Sequence, residues 1–119
     1  MVNPAMQNVL DHFKDPENYG VLENYTHSYE LKNLSCGDTV HVYLLVEDNI
    51  IKKFSFSGEG CAISQASASM LSEEIIGLTL DAFLKIDSDF IKNLVKMDLG
   101  PSRLKCATMC LEATRKAIN

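Results

Sequence analysis

The chain has 119 residues, of which 46% are hydrophobic and 23% charged, a globular composition that excludes a wholly disordered or collagen-like protein. Its net charge of −5 argues against a nucleic-acid-binding protein, whose binding surface is usually basic. The charge is uneven, since residues 1–100 carry 15 acidic and 7 basic residues, whereas residues 101–119 carry 1 acidic and 4 basic residues. We therefore expect a single domain over residues 1–119, with a basic C-terminal end on an acidic body.

The first half of the chain predicts one helix followed by three strands. Apolar residues at helical spacing predict a helix over residues 5–13. Alternating apolar and polar residues predict strands over residues 25–32, 39–47 and 50–57. Because Asp48 and Asn49 favour a tight turn between the last two, the strands are predicted to form a small antiparallel sheet.

The second half of the chain is predicted to be helical. Small residues and good helix formers predict a helix over residues 62–76. Two short helices follow, with N-caps predicted at Thr79 and at Asp87 or Ser88, and a final helix runs from residue 102 to residue 118. This order predicts an α+β fold in which a small three-stranded antiparallel sheet packs against several helices.

No targeting or membrane-spanning segment is predicted. The first basic residue is Lys14, so the N-terminal residues do not resemble a secretory signal. The longest uncharged stretch, from Gly60 to Ser72, is too short and too polar to span a bilayer. We therefore expect a cytoplasmic protein without membrane contact, in which four reduced cysteines indicate metal binding or catalysis before disulfides.

Three of the four cysteines lie where a loop meets a predicted helix or strand. Cys36 is in the turn between the first two strands, Cys61 opens the 62–76 helix, and Cys106 lies in about the first turn of the last helix. Their separations of 25 and 45 residues differ from the close pairs of structural zinc modules. The three thiols can still converge if these junctions share one end of the domain, and such an open site suits loading and release.

Local charge favours thiolates at two of these positions. A helix N-terminus lies near Cys61 and near Cys106, and Arg103 and Lys105 add positive charge beside Cys106. Asp38, two residues after the first cysteine, can supply an oxygen to the same centre. Because a carboxylate is a harder ligand than a thiolate, it binds soft metals more weakly. The sequence thus predicts a four-coordinate site with one weak ligand.

Several motifs of this chain together resemble a known family. They are VLDHFKDPENYG at residues 9–20, CGD at 36–38, GEGCAIS at 58–64 with ASASM at 66–70, and KCA at 105–107. The resemblance is to the IscU/NifU N-terminal family of iron–sulfur cluster assembly scaffolds, and it covers nearly the whole chain. The combination of the second and third motifs is highly specific.

The resemblance implies an IscU-like α+β fold with a site made by Cys36, Asp38, Cys61 and Cys106. Proteins similar to this one accept sulfur from a cysteine desulfurase, assemble a transient [2Fe–2S] cluster and transfer it to apo iron–sulfur proteins. Many of them also bind zinc at the same ligands. The implied protein is a scaffold and carrier rather than an enzyme, and we assign the receipt of sulfur to Cys106, which two cations adjoin.

Two features distinguish this chain from IscU proper. IscU places a histidine where this chain has Lys105, and it carries a chaperone signal, Leu-Pro-Pro-Val-Lys, where this chain has LGPSRLK at residues 99–105. Binding to a dedicated chaperone therefore stays open. The KCA motif is more similar to the SufU branch, whose members bind zinc and accept sulfur, but SufU has an insertion of about twenty residues before its third cysteine.

The sequence therefore leaves an alternative function open. This is a zinc-dependent sulfurtransferase partner, in which Cys106 takes persulfide sulfur from the desulfurase while zinc orders the ligands. A structural zinc module is a third alternative, against which the wide cysteine spacing and Asp38 argue. Lys105 is interpreted either as a solvated helix residue or as a cation that holds thiolate charge or occupies the open site.

Other polar residues receive structural interpretations. Cys110, one turn beyond Cys106 on the same helix face, is interpreted as core filler, with a spare thiol for persulfide as the alternative. We expect packing or hydrogen-bonding roles for His12 and His27, and a position on a strand face for His41. The serines of the 62–76 helix are interpreted as a close-packing face, because no histidine or acid pairs with them in a recognisable order: Ser64, Ser67 and Ser69.

Overall fold

The computed structural model describes residues 3–33 and 37–119, and this part of the chain contains three strands and five helices. In chain order they are α1 (Pro4–Lys14), β1 (His27–Asn33), β2 (Asp38–Glu47), β3 (Ile50–Glu59), α2 (Ala62–Ile75), α3 (Leu80–Leu84), α4 (Ser88–Val95) and α5 (Pro101–Ile118). The strands form one antiparallel sheet in the order β1-β2-β3. The predicted α+β class and three-stranded sheet are confirmed.

The ends of the helices follow the chemistry of their caps. The Asn3 side chain accepts a hydrogen bond of 2.9 Å from the Ala5 N–H, and Pro4 occupies the first helical position, where no backbone donor is needed. Thr79 and Asp87 cap α3 and α4 as predicted. Because proline also fits the first position of α5, that helix begins at Pro101, one residue before the predicted start.

The hairpin between β2 and β3 turns at the predicted residues. Asp48 and Asn49 have φ values of 54° and 64°, so both central residues are left-handed, as a two-residue turn of a twisted hairpin requires. β3 continues to Glu59, two residues beyond the predicted end, and β1 begins at His27, two residues after the predicted start. The ladder shifts register once, between Leu45 and Val46.

The core lies between the inner face of the sheet and two long helices. Val42, Leu44 and Phe56 project from the sheet and are almost wholly buried, and they face α2 and α5, which pack against each other and against the sheet. The face of α2 in the core carries small side chains such as Ala66 and Ala68. Small side chains let neighbouring elements approach closely, so this packing fixes where both helices begin relative to the sheet. Within the described ranges, none of the helices combines the length and hydropathy that crossing a bilayer requires.

Replacing Gly58 with alanine is expected to destabilise the fold by about 2 kcal/mol or more. Gly58 has a φ of +151°, and a Cβ there would lie 2.1 Å from the Thr39 carbonyl oxygen, a backbone atom that cannot move without opening the β2–β3 ladder. Urea unfolding measures the effect. The matched control is Gly100→Ala, since Gly100 has a φ of −69° and open space around its Cα. An equal loss in both variants would show that the close approach at Gly58 is unimportant.

Candidate metal centre

Three of the four predicted ligands lie together at one end of the sheet. One carboxylate oxygen of Asp38 and the Sγ atoms of Cys61 and Cys106 all lie within 4.8 Å of one another. The Cys61 Sγ lies 3.7 Å from Oδ2 of Asp38. The fourth predicted ligand, Cys36, lies outside the described residues. Of the three cysteines inferred to converge from their loop positions, Cys61 and Cys106 are described, and they do lie close together.

Sheet topology and helix packing bring these residues together. Asp38 begins β2, and Glu59 ends β3 opposite Thr39, because the two strands are antiparallel. A single residue, Gly60, then connects the end of β3 to Cys61, the N-cap of α2. α5 packs against α2 and β2, which brings Cys106 to the same end. The site therefore depends on contacts between elements that are far apart in sequence.

The donor set fits a metal ion or a cluster. In a tetrahedral zinc site with bonds of about 2.0–2.3 Å, ligand atoms lie about 3.3–3.8 Å apart. The separation of 3.7 Å between Asp38 and Cys61 is within that range, and the outer limit of 4.8 Å needs only a small contraction. Cys61 is exposed and Cys106 half-buried, whereas Asp38 is only 4% exposed. Such a site can be reached from solvent on the side of Cys61.

Cys61 and Cys106 differ in their relation to the helix ends. Cys61 is the N-cap of α2, with φ −72° and ψ 164°, so it stands at the positive end of the helix dipole. Cys106 is the sixth residue of α5, so it lies in the second turn, one residue further from the helix start than predicted. Because the dipole acts mainly within the first turn, its effect on Cys106 is weaker than the sequence suggested. Arg103 and Lys105, which precede Cys106 in the helix, remain a source of positive charge for its thiolate.

Cys110 is enclosed in the core. It is 2% exposed, and burial raises the pKa of its thiol to about 12 although a hydrogen bond from Thr114 opposes the shift. At neutral pH it is therefore a protonated thiol without access to solvent. This supports its interpretation as core filler.

Iodoacetamide at about pH 8 is expected to alkylate Cys61 in the native protein and to leave Cys110 unmodified, because only a thiolate reacts. Mass spectrometry of peptides measures both sites, and denaturant should expose Cys110 to the reagent. Alkylation of Cys110 in the native protein at the rate of Cys61 would contradict its enclosure.

The raised pKa of Cys110 also makes stability depend on pH. The folded thiol keeps its proton to a higher pH than the unfolded thiol, whose pKa is 9.0. Its contribution to the free energy of unfolding is therefore complete below pH 9.0 and is lost as the pH rises towards about 12.

The sequence did not predict one contact of α2, which joins His12 to Ser69. The Nδ1 atom of His12 lies 2.7 Å from Oγ of Ser69, which also accepts a hydrogen bond of 2.7 Å from the Glu17 N–H. The Nε2 atom of His12 lies 3.6 Å from Glu73. Because 57 residues separate His12 from Ser69, no local pattern signals this pair. Ser69 is fully buried, so the contact holds α1 and the following loop on α2 and offers no accessible nucleophile.

The other histidines lie as the sequence predicts. The Nδ1 atom of His27 is 2.8 Å from Oγ1 of Thr26, and His41 lies on β2, where its ring stacks on Tyr43 at a centroid distance of 4.4 Å. None of them belongs to the ligand cluster found in the described part of the chain. Lys105 is exposed next to Cys106 in α5. This position fits both a solvated helix residue and a cation that acts on the Cys106 thiolate or the open site.

Comparison with known proteins gives matches over almost the whole chain. The profile of the family described as NifU-like N terminal domain matches residues 5–119. The zinc-dependent sulfurtransferase SufU of Bacillus subtilis is 35% identical, over 94% of this chain and 87% of that protein. The iron-sulfur cluster assembly scaffold protein IscU of Thermotoga maritima is 34% identical, over 92% of this chain and 89% of that protein.

A solved structure agrees with these matches. FiSufU from Fervidobacterium islandicum AW-1, a candidate iron–sulfur cluster assembly scaffold for the SUF system, superimposes with a TM-score of 0.80. It is 31% identical, and the superposition covers 98% of this chain and all of that one. This agreement supports the arrangement of helices around the sheet.

Alignment lengths show that this chain is shorter than some of its relatives. The alignment with the Bacillus protein has 129 positions, whereas 94% of 119 residues is about 112, so about 17 positions have no counterpart here. The alignment with the Thermotoga protein has 126 positions against about 109, which is 92% of 119, and shows a similar difference. Extra residues thus occur in a relative named SufU and in one named IscU, so their absence does not separate the two functions.

Since the profile and these relatives cover nearly all of its residues, the chain belongs to the family of NifU-like N-terminal domains.

Proposed function

We propose that this protein is an iron–sulfur cluster assembly scaffold that accepts sulfur from a cysteine desulfurase, builds a [2Fe–2S] cluster and transfers it to apo iron–sulfur proteins. The observation that carries the proposal is the approach of Asp38, Cys61 and Cys106 to within 4.8 Å at an accessible end of the sheet. A relative with 34% identity bears the name of such a scaffold. The protein then acts as a cytoplasmic carrier rather than as an enzyme.

In this proposal, the ligands are Cys36, Asp38, Cys61 and Cys106. Thiolates are soft ligands that hold iron–sulfur cargo firmly. Asp38 supplies one hard oxygen, which a ligand from the recipient protein can displace more easily. The mixed donor set thereby combines retention during assembly with release during transfer.

Cys106 is proposed as the sulfur acceptor. Its thiolate attacks the terminal sulfur of a persulfide on the desulfurase, so that a new S–S bond forms on Cys106. The old S–S bond breaks at the same time, and the desulfurase cysteine leaves as a thiolate. This step moves one sulfur atom without an external oxidant or reductant. Reduction of the sulfur to sulfide is then left to a separate electron donor.

We further propose that the basic C-terminal end docks the desulfurase. Arg103 and Lys105 are exposed on the first turns of α5, on either side of Leu104 and next to Cys106. The rest of the chain is acidic, so these cations give the end near Cys106 a distinct charge. Complementary charge steers the encounter of two proteins and raises the association rate.

A zinc-dependent sulfur acceptor is the second candidate function. It is favoured by Lys105 beside Cys106 and by the 35% identity to a protein named zinc-dependent sulfurtransferase. The same ligands would then hold zinc, and Cys106 would receive sulfur without building a cluster. The two candidates share the sulfur step and differ in the cargo.

Metal analysis separates the two candidates. The protein is purified without oxygen, and iron, zinc and labile sulfide are quantified before and after incubation with desulfurase, cysteine and ferrous iron. A scaffold should gain iron and labile sulfide in equal amounts together with the absorption bands of a [2Fe–2S] cluster. Retained zinc with persulfide on Cys106, but without labile sulfide, would instead establish the sulfur acceptor.

A further inference from the structure

The loop that leads from β3 into α2 contains two glycines with different surroundings. At Gly58, the atoms that a Cβ would meet belong to the backbone of Thr39 and Val40. At Gly60, a Cβ would lie 2.8 Å from Cγ and 2.9 Å from Oδ1 of Asp38, and 2.8 Å from Oγ of Ser64. A Cβ atom in a folded protein essentially never lies closer than 3.0 Å to such a neighbouring atom. The space that a side chain at Gly60 would need is therefore filled by the Asp38 carboxylate and the Ser64 hydroxyl.

The backbone of Asp38 is held in place by the sheet. Asp38 is the first residue of β2, where its Cα pairs with Asn33, and it is only 4% exposed. From this fixed backbone position its Oδ2 reaches to 3.7 Å from the Cys61 Sγ. Because the backbone of Asp38 is held in the sheet, the free space at Gly60 decides where its carboxylate can lie.

We propose that Gly60 is a positioning residue that admits the Asp38 oxygen to the ligand cluster. The absence of a side chain at residue 60 leaves the volume in which the carboxylate sits beside Cys61. A methyl group there pushes the carboxylate away from Cys61 and Cys106. The inference rests on the proposed function, since it takes Asp38 to be a ligand, and it makes Gly60 the residue that sets how easily the site releases its cargo.

The substitution Gly60→Ala is expected to leave the fold in place. All three close contacts of its methyl group are side-chain atoms, so rotation of Asp38 or Ser64 relieves them without moving a strand. Gly60 also lacks the positive φ that would strain an alanine, unlike Gly58. The variant thus changes the site rather than the sheet.

Ser64 offers the competing explanation. Its Oγ donates a hydrogen bond of 3.1 Å to the Cys61 carbonyl oxygen in the first turn of α2. If the methyl group acted by displacing this hydroxyl, Ser64→Ala would reproduce the effect of Gly60→Ala. The proposal expects Ser64→Ala to bind metal as the parent protein does.

Cobalt(II) substitution tests the inference without any activity measurement. Sulfur-to-cobalt charge-transfer bands report the number of thiolate ligands, and the visible bands report the geometry of the site. We expect Gly60→Ala, Asp38→Ala and the double variant to share one spectrum that differs from that of the parent. The control Gly100→Ala, whose Cβ meets no atom within 4 Å, should give the parental spectrum.

A double-mutant cycle on the metal-free protein provides the second readout. If the methyl group clashes with the carboxylate, Gly60→Ala should lower the urea midpoint in the parent but much less in the Asp38→Ala background. The cycle also tests the inference if Gly60→Ala folds poorly, because removal of the Asp38 carboxylate should then restore folding. Cluster transfer should slow by the same factor in Gly60→Ala as in Asp38→Ala, with no further slowing in the double variant.

The outcomes separate this inference from the proposed function. A parental cobalt spectrum for Gly60→Ala, together with an altered one for Asp38→Ala, overturns the role of Gly60 and leaves Asp38 as a ligand. Additive effects of the two substitutions on stability also overturn it. A parental spectrum for Asp38→Ala instead removes Asp38 from the proposed ligands, and the inference falls with it.

Discussion

Replacing Cys106 with serine is expected to abolish the transfer of sulfur from a cysteine desulfurase to this protein. A serine hydroxyl is not ionised at neutral pH and cannot form a persulfide. Cys106, by contrast, follows the exposed cations Arg103 and Lys105 in α5 and lies within 4.8 Å of the other described residues of the proposed site. Mass spectrometry after a brief reaction with labelled cysteine identifies the cysteine that gains one sulfur atom. The parent should carry the label on Cys106, and the variant should carry almost none.

Cys110→Ser is the matched control for this experiment. Cys110 lies one helical turn away in the same helix, but its burial and its pKa of about 12 keep it from attacking a persulfide. Most of the labelled sulfur should therefore remain in this variant. Labelling of Cys61 or Cys36 at the parental rate in Cys106→Ser would assign the receipt of sulfur to that cysteine instead.

The fold could be predicted from sequence because its signals are local. Alternation of apolar residues marks the strands, and the inward residues Val42 and Leu44 are indeed fully buried. The turn at Asp48 and Asn49 and the caps at Thr79 and Asp87 depend on side-chain chemistry within three residues, so the structure reproduces them. Element ends differ by one or two residues where a neighbouring strand, rather than the local sequence, ends the pairing.

The candidate site was only partly accessible to such reasoning. Loop positions indicated that the thiols could converge, and the place of Asp38 two residues after Cys36 suggested it as a companion ligand, which the resemblance to a family then implied as well. The burial of Asp38 and the space at Gly60 depend on the β2–β3 register and on the start of α2, which the sequence does not display locally. Cys106 lies one residue further into α5 than predicted, in the second turn, because proline allowed the helix to begin earlier. The ligand roles of Cys36, Asp38, Cys61 and Cys106 stay predictions.

Asp38→Ala is expected to slow the transfer of a reconstituted cluster to an apo-ferredoxin by roughly tenfold, equivalent to about 1.4 kcal/mol in the barrier to release. The physical reason is the donor set. Asp38 contributes the only carboxylate among the described residues of the proposed site, and this harder, more exchangeable oxygen is expected to give a recipient thiolate a place to enter. Without it, the cluster is held by thiolates alone. Transfer is followed by circular dichroism as the cluster changes its protein environment.

Two control variants separate this effect from a general loss of charge. Asp89→Ala removes a carboxylate from the acidic body whose side chain is 78% exposed and whose ion pair with Lys92 is long, at 3.9 Å. It should transfer its cluster at the parental rate, because exposed pairs of this kind contribute little to stability. Asp38→Asn keeps the shape of the side chain and one carbonyl oxygen but removes the charge, so an intermediate rate is expected. Transfer from Asp38→Ala that is as fast as, or faster than, transfer from the parent would contradict the role of Asp38 as the ligand that permits release.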